Sequence, residues 1–181
     1  MGGMAGGTLE GGRVVLRPLV EDDAAVCHHW LNDPAVQRTL VLHGRRITEA
    51  DSRRFIRDAD ARSDLLFAIV TRDAGLYVGN CGLHGVDPVD RRAELGIVIG
   101  RPEWWGRGYG TETVGLLCRH AFASLGLHRV GLSCYAINER GLALYTRVGF
   151  RIEGRRREAV FIDGRWVDEL ILGLLAGELR C

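Results

Sequence analysis

The sequence lacks the features on which several common functions depend. No lysine follows any glycine, so there is no phosphate loop of the form GxxxxGK[S/T]. No apolar run approaches the ~20 residues that a membrane-spanning helix requires. The first residues, MGGMAGG, have neither the basic start nor the apolar core of a signal peptide. The formal net charge of +1 gives no reason to expect nucleic acid or an acidic membrane as a partner.

The cysteines and histidines also lack the spacing of a metal site. The five cysteines, at positions 27, 81, 118, 134 and 181, contain no C-x-x-C pair, and the six histidines show no H-x-x-x-H pattern. We therefore expect no metal site. An odd number of cysteines, two of them within apolar patterns, favours reduced and mostly buried thiols, as in a cytoplasmic protein.

The length and the hydrophobic periodicity predict a single α+β domain. A chain of 181 residues fits one domain with a full core. We predict a flexible N-terminal tail over 1–11, the domain over 12–176 and a C-terminal tail over 177–181. Changes of periodicity predict the order β-α-α-β-β-β-α-β-α-β-β, a mixed sheet with helices on both faces. The predicted strands are 13–18, 65–71, 76–86, 92–99, 128–137, 150–161 and 166–175, and the predicted helices are about 21–32, 49–61, 110–125 and 139–147.

The stretch Ala93–Leu117 is the most informative part of the chain. Its apolar, β-branched run Leu95–Ile99 predicts a buried strand, and its end has a helical pattern. Between them lies GRGYG (106–110), whose alternate glycines allow a tight bend and leave backbone N–H groups uncovered. A helix that begins after such a loop directs unpaired N–H groups and its positive dipole end outward. The stretch therefore predicts a site for a phosphate or pyrophosphate.

A dinucleotide-binding fingerprint fits this loop poorly. That fingerprint needs G-x-G-x-x-G in the first βα turn of the fold, with an acidic residue about 20 positions further on. Here the spacing is G-x-G-x-G, roughly half of the chain precedes it, and Val130 and Gly131 stand where the acid is expected. Taken alone, the glycines could also form only a tight turn.

The element order, with WGRGYGTE (105–112) and NERGLALYTRVGF (138–150), resembles the GNAT superfamily of acetyl-CoA-dependent N-acetyltransferases over residues 13–175. His128-Arg129 and FIDGRWVDE (161–169) are similar to one branch, which holds ribosomal-protein alanine N-acetyltransferases and spermidine acetyltransferases. The resemblance implies the GNAT fold with a splayed central sheet, acetyl-CoA as cosubstrate and an amine as acceptor.

The resemblance also assigns residues to the coenzyme. Backbone N–H groups of 106–111 would bind its pyrophosphate, and the open edge of the strand at 97–99 would pair with the pantetheine arm. Trp105 stands where the family pattern R/Q-x-x-G-x-G/A has Arg or Gln, and Gly141 replaces a frequent Ser. The residues assigned in this way are Ile97, Val98, Ile99, Trp105, Gly106, Arg107, Gly108, Tyr109, Gly110, Thr111 and Asn138.

Acetyl transfer to an amine needs a base that takes a proton from the amine, a donor for the oxyanion and an acid for the leaving thiolate. Glu94 is the candidate base, because it shares a strand face with Gly96 and Val98. A carboxylate in an otherwise apolar strand costs free energy to bury, which suggests a functional role. The alternative role for Glu94 is an ion pair with Arg91 or Arg92. A backbone N–H near Val98 is the candidate oxyanion donor.

Tyr145 is the candidate acid. Its place in LYTRVGF implies, by the resemblance, that it protonates the coenzyme sulfur. A phenol of pKa ~10 suits a thiolate of pKa ~8.5. The alternative is aromatic packing beneath the helix. Cys134, in a strand without a positioned histidine, is interpreted as a structural thiol and not as an acyl carrier. Trp104 and Trp105 are interpreted as packing residues, with stacking on adenine as the alternative.

The acceptor is predicted from the charges of its cleft. In the family, the loop 32–48 and the hairpin 160–168 build the acceptor cleft. Acids there would suit a polyamine such as spermidine, whereas arginines argue against a strongly acidic cleft. We therefore expect a protein or peptide N-terminus, with a polyamine as the alternative and a non-catalytic acyl-CoA sensor as a third hypothesis. Apolar C-terminal strands make a homodimer a further expectation. The acids are Asp33, Glu49, Asp163 and Asp168, and the arginines are Arg38, Arg45 and Arg46.

Overall fold

The computed structural model describes residues 7–180, which form an eight-stranded mixed sheet in the order β1-β2-β3-β4-β5-β6-β8-β7. All neighbouring strands are antiparallel except β5 and β6. The strands are β1 (Leu9–Glu10), β2 (Val14–Pro18), β3 (Leu65–Thr71), β4 (Tyr77–Asp87), β5 (Arg92–Ile99), β6 (Arg129–Tyr135), β7 (Arg151–Ile162) and β8 (Arg165–Leu175). The α-helices are α1 (Ala24–Leu31), α2 (Pro34–Gln37), α3 (Glu49–Arg57), α4 (Tyr109–Arg119) and α5 (Glu139–Val148).

Helices cover both faces of the sheet, as predicted. On one face, Phe67 of β3 lies in the same buried core as Val114 and Leu117 of α4. On the other face, Trp30 of α1 is buried and packs against Tyr77, with ring centroids 4.6 Å apart. The alternation of side chains along each strand supplies both apolar faces, because successive residues point to opposite sides of a sheet.

The sheet opens between β5 and β6. The two strands run parallel for only three residue pairs, from Arg92–Arg129 to Glu94–Gly131. Beyond these pairs, β5 stays bonded to β4 as far as Ile99, while β6 pairs with β8 as far as Tyr135. One edge of β5 therefore lacks a strand partner from Leu95 onward. This is the splayed mixed sheet that the sequence predicted.

The structure differs from the predicted elements at three places in the domain. Leu9–Glu10 pair with β2 as a short strand, although the tail was predicted to extend to residue 11. Pro34–Gln37 form a helix that was not predicted, and the Asp33 side chain caps it. The predicted helix 110–125 is an α-helix only as far as Arg119 and continues as a π-helical turn over His120–Ser124.

The predicted C-terminal tail is also in contact with the domain. The backbone N–H of Arg180 donates to the Val148 carbonyl over 3.0 Å. Glu178 forms an ion pair with Arg151 over 3.0 Å. Residues 1–6 of the predicted N-terminal tail and Cys181 lie outside the described residues.

Gly79 allows β5 to approach β4 closely. The register of the β3–β4 pair shifts between Ile69, which is the partner of Gly79, and Val70. A methyl group at Gly79 would overlap the carbonyl oxygen of Val98 and lie 3.2 Å from a methyl group of Ile69. A side chain there would push β5 out of place, because the backbone oxygen cannot rotate away.

We expect Gly79→Ala to lower the free energy of unfolding by about 1–3 kcal/mol, the usual cost of overpacking. Urea denaturation followed by circular dichroism measures this change. Gly177→Ala is the matched control, since a methyl group at Gly177 would meet nothing within 4 Å. Equal stability of the two variants would contradict the close approach at Gly79.

Candidate active site

A cavity of about 730 Å³ lies at the open edge of β5. This volume is in the range of small-molecule and cofactor sites. Its walls come from β5, the glycine loop, the start of α5, the end of β6 and the segment that follows α2. The residues that line it on the β5, β6 and α5 sides include Glu94, Gly96, Ile97, Val98, Ile99, Ser133, Cys134, Asn138, Arg140, Gly141, Leu144 and Tyr145.

The glycine loop presents unpaired backbone donors to this cavity. Gly106 and Gly108 have φ angles of +72° and +85°, which residues with a Cβ atom rarely adopt. No side chain caps α4 at Gly108. Within residues 7–180, no backbone hydrogen bond is donated by the N–H groups from Gly106 to Thr111. The loop and the helix dipole together form an anion site of the predicted kind.

Three arginines surround the same loop. Arg13, Arg107 and Arg147 line a second hollow of about 450 Å³ beside the glycines. The Glu112 carboxylate holds Arg13 by accepting from its backbone N–H over 2.9 Å. Sequence reasoning selected only Arg107, because Arg13 and Arg147 come from distant segments. Their positive charge adds to that of the helix terminus.

Trp104 and Trp105 pack the loop onto the sheet. The Trp105 indole N–H donates to the Ile99 carbonyl over 3.1 Å, and the Arg140 guanidinium lies 4.2 Å from the centre of its ring. Trp104 meets Trp30 edge-on, with ring centroids 5.8 Å apart. Both contacts agree with the packing interpretation of the two tryptophans.

Asn138 caps α5 at the mouth of the gap. Its side-chain oxygen accepts from the backbone N–H of Gly141 over 3.0 Å. A methyl group at Gly141 would lie 2.6 Å from the Asn138 amide nitrogen, so the glycine makes room for this cap. The Asn138 oxygen is engaged by the helix, which leaves its NH₂ group as the donor on the cavity side.

Tyr145 is buried on the inner face of α5 and lines the cavity. Its ring packs edge-on against Phe150, with centroids 5.8 Å apart, so the predicted packing contact exists as well. Burial raises the pKa of Tyr145 and the neighbouring Cys134 adds to the rise. The phenol therefore keeps its proton through the physiological pH range. Within residues 7–180 its hydroxyl makes no hydrogen bond.

Three buried cysteines of the domain, of which Cys134 lines the cavity, are inert thiols. Cys27, Cys81 and Cys134 are buried and free. Burial raises the pKa of Cys134 to about 12, which suppresses the thiolate that an acyl carrier would need. Burial likewise raises the pKa of Cys27 and of Cys81.

Glu94 stands at the last β5–β6 pair, where the sheet opens, and lines the cavity. Partial desolvation raises the pKa of its carboxyl, although Arg129 and Arg92 act in the opposite direction. The ion pair considered as the alternative is not formed: Arg92 pairs with Asp87 and Asp90, over 3.8 Å and 3.4 Å. The remaining candidate, Arg91, donates instead to the Gly126 carbonyl over 2.7 Å.

His84 is a cavity residue that sequence reasoning missed. It lies on β4 directly opposite Glu94 of β5. Its Nδ1 atom is 3.3 Å from the carboxylate of the buried Asp64, 20 residues earlier in the chain. No local motif joins these two residues, because the strand register and the loop before β3 bring them together.

Two negative findings concern the described part of the chain. Within residues 7–180, no three or more His, Cys, Asp or Glu side chains group as a metal ion would require. No helix in the same range is both long and apolar enough to cross a membrane.

Comparison with known protein families identifies the family to which this chain belongs. The acetyltransferase (GNAT) domain matches residues 13–151. The chain belongs to the GNAT acetyltransferases. Enzymes of this family use acetyl-CoA, and the predicted fold and enzyme class are thereby confirmed.

Relatives of this GNAT chain are similar over most of its length. It is 30% identical over 175 residues to the uncharacterized N-acetyltransferase p20 of Bacillus licheniformis, covering 94% of this chain and 97% of p20. It is 28% identical over 165 residues to spermidine N(1)-acetyltransferase of Escherichia coli K12, covering 84% and 81%. YdaF of Bacillus subtilis, which has the provisional name ribosomal N-acetyltransferase, is 35% identical over 104 residues, covering 58% and 56%. The last two of these names match the predicted branch.

A solved structure has the same fold. Spermidine N-acetyltransferase of Vibrio cholerae, in complex with CoA and spermine, superposes with a TM-score of 0.83 at 22% identity. The alignment covers 93% of this chain and 98% of the Vibrio chain. At this identity the comparison shows the fold alone.

We expect Gly108→Ala to weaken acetyl-CoA binding about tenfold. A left-handed conformation costs a residue with a Cβ atom about 1–2 kcal/mol, and the loop can relax only by leaving the shape that binds the anion. Isothermal titration calorimetry measures the dissociation constant. Gly126→Ala is the control, since Gly126 has a φ of +65° but does not line the cavity. Equal affinities of the two variants would remove Gly108 from the anion site.

Proposed function

We propose that the protein transfers an acetyl group from acetyl-CoA to the α-amino group of a protein or peptide, by direct attack of the amine on the thioester. One observation carries this proposal. The open edge of β5 joins an anion site at one end to an apolar recess with a single carboxylate at the other. A coenzyme arm laid along β5 would present its thioester between the two ends.

The coenzyme side of the proposal uses backbone groups. The pyrophosphate accepts from the N–H groups of 106–111, beside Arg13, Arg107 and Arg147. The pantetheine amides pair with the free edge at Ile97, Val98 and Ile99, as an added strand would. A backbone N–H near Val98 is the proposed donor to the oxyanion.

Tyr145 is the proposed acid toward the coenzyme sulfur. Its phenol lines the cavity, and its raised pKa keeps the proton available for the departing thiolate. Two groups in the cavity are able to take the proton of the amine: Glu94, predicted from the sequence, and His84.

The acids near the acceptor cleft support an N-terminal amine over a polyamine. A polyamine carries several positive charges and needs several unpaired carboxylates. Each of the four acids considered from the sequence already has a partner, and none of them lines the cavity. Asp33 accepts from Ala35, Glu49 pairs with Arg53, Asp163 pairs with Arg38, and Asp168 pairs with Arg155.

The cavity wall on this side is apolar. Val36, Leu40 and Val41 line it together with Thr39, and Glu94 is the one carboxylate in the lining among the described residues. One carboxylate suits one ammonium group, with an uncharged or apolar substituent against the wall. Spermidine remains the alternative acceptor, because spermidine acetyltransferases are among the relatives.

Two further expectations stay predictions. The outermost strand β7 leaves a free sheet edge, and Phe161 and Trp166 nearby are exposed. This edge is compatible with the predicted homodimer. The cytoplasmic location was predicted from the cysteine usage.

We expect Tyr145→Phe to lower the rate of acetyl transfer roughly 10²-fold or more, because the thiolate loses its proton donor. Acetyl-CoA should bind with unchanged affinity, since the phenyl ring preserves the packing against Phe150. Release of free thiol measures the rate, and calorimetry measures the affinity. Cys134→Ala is the control and should keep its activity. An unchanged rate in Tyr145→Phe would exclude Tyr145 as the acid.

We expect peptides with a free N-terminus to be acetylated with a kcat/KM at least tenfold above that of spermidine. The additional ammonium groups of spermidine find no carboxylate in the cavity, and each 1.4 kcal/mol of lost charge pairing lowers its affinity tenfold. Thiol release with a panel of synthetic peptides, N-terminally blocked peptides and spermidine provides the comparison. The blocked peptides should be inactive. Turnover of spermidine without turnover of any peptide would reverse the assignment.

A further inference from the structure

The buried Asp64 carboxylate and the partly exposed His84 imidazole form a pair at the edge of the cavity. Asp64 is 6% exposed. Its Oδ2 atom accepts from the Arg62 guanidinium over 2.8 Å and lies 3.3 Å from His84 Nδ1. Its Oδ1 atom accepts from the backbone N–H of Gly85 over 3.0 Å. The Asp64 carboxylate is therefore held from three directions.

The partners of Asp64 fix the tautomer of His84. Burial alone would raise the pKa of Asp64, but the hydrogen bonds from Gly85, Arg62 and His84 outweigh it and hold the pKa below its usual value. An ionised carboxylate can only accept hydrogen bonds. We therefore assign the ring proton of neutral His84 to Nδ1, the atom that lies 3.3 Å from this carboxylate, and the lone pair to Nε2.

The Nε2 atom lies over β5 on the face that bears the reaction site. A methyl group at Gly96 would be 2.8 Å from Nε2, so the imidazole occupies the space above this glycine. Gly96 is two residues from Val98, and alternate residues share a strand face. The Glu94 carboxylate instead leans toward β6, where a methyl group at Gly131 would lie 2.5 Å from it. The imidazole is therefore nearer than the Glu94 carboxylate to the proposed thioester position.

We propose that His84, oriented by Asp64, takes the proton from the acceptor amine, and that Glu94 attracts the positively charged amine into the cleft. This assignment rests on the proposed function. The arrangement follows the general logic of a base whose second nitrogen is fixed by a carboxylate.

The proposed transfer moves one acetyl group and returns His84 and Tyr145 to their starting protonation states. His84 Nε2 accepts one proton from the ammonium, and the freed lone pair on nitrogen attacks the thioester carbon, whose π electrons move to the oxygen. The oxyanion then re-forms the carbonyl, and the C–S bond breaks with its electron pair on sulfur. Tyr145 protonates the sulfur and regains a proton from the nitrogen, which becomes an amide. His84 finally releases its proton to water.

Several charged groups and one aromatic ring surround His84. Asp64 faces it from the loop before β3, with Arg62 on the far side of that carboxylate. Glu94 faces it from β5. The Phe55 ring of α3 covers its outer side, with ring centroids 6.1 Å apart. Beyond Glu94, Arg129 of β6 binds Glu153 of β7.

We expect His84→Gln to lower kcat roughly 10²-fold at about pH 6.5, with the KM for the amine little changed. The deficit should shrink to a few-fold at about pH 9.5, because an α-amino group of pKa ~8 is then already neutral and needs no base. Glu94→Gln should instead raise the KM. The assay follows thiol release with acetyl-CoA and a synthetic peptide that the wild-type protein acetylates. His128→Gln, at an exposed position outside the cavity, is the control.

The outcomes separate the two proposals. A wild-type protein that acetylates no amine overturns the proposed function, and with it the role of His84. An active wild type with a His84→Gln variant that is equally active at pH 6.5, or equally impaired at every pH, overturns only the assignment of the base. Nitrogen-15 NMR of labelled histidine supplies a readout that needs no acceptor: neutral His84 should carry its proton on Nδ1, and Asp64→Asn should shift the tautomer. A proton on Nε2 in the wild type would also overturn the assignment.

Discussion

Backbone pairing between β5 and β6 ends at Glu94 and Gly131, and the rest of the site depends on this interruption. A continuous sheet would use the backbone groups of residues 95–99 for its own ladder. Because β6 turns away to pair with β8, those of these groups that do not bond to β4 face a cavity instead. Helix α5 begins beside the gap, which brings Asn138 and Tyr145 to the cavity at the open edge of β5. The binding surface and the proposed catalytic residues thus have a common structural cause.

Charge is distributed unevenly along this gap. The end at the glycine loop combines a helix N-terminus with Arg13, Arg107 and Arg147, and it suits an anionic coenzyme. The opposite end has Glu94 and the Asp64–His84 pair. A cationic amine and an anionic coenzyme would therefore approach from different ends and meet near Val98. Between them the wall is largely apolar, which strengthens hydrogen bonds to a developing oxyanion.

Local sequence patterns predicted the parts of the site that depend on local structure. The alternate glycines and the helix after them are each encoded within a few residues, and the strand–helix–strand order implied the parallel β5–β6 pair. Glu94, His84 and Asp64 show what such patterns leave open. The direction in which the Glu94 carboxylate leans depends on the absence of a side chain at Gly131, and the His84–Asp64 contact depends on the register of β4. A two-residue strand such as β1 has too few residues to show any periodicity.

The ion pair between Arg38 and Asp163 joins the segment after α2 to the β7–β8 turn. Both side chains are about half exposed, and exposed pairs of this kind stabilise a structure by only about 0–1 kcal/mol. This ion pair therefore holds the two segments together only weakly, and thermal motion can break it. A polypeptide too large for the cavity could insert only its first residues there while the remainder stays in solvent. Since salt screens exposed charges, ionic strength would control how readily this ion pair breaks and the two segments separate.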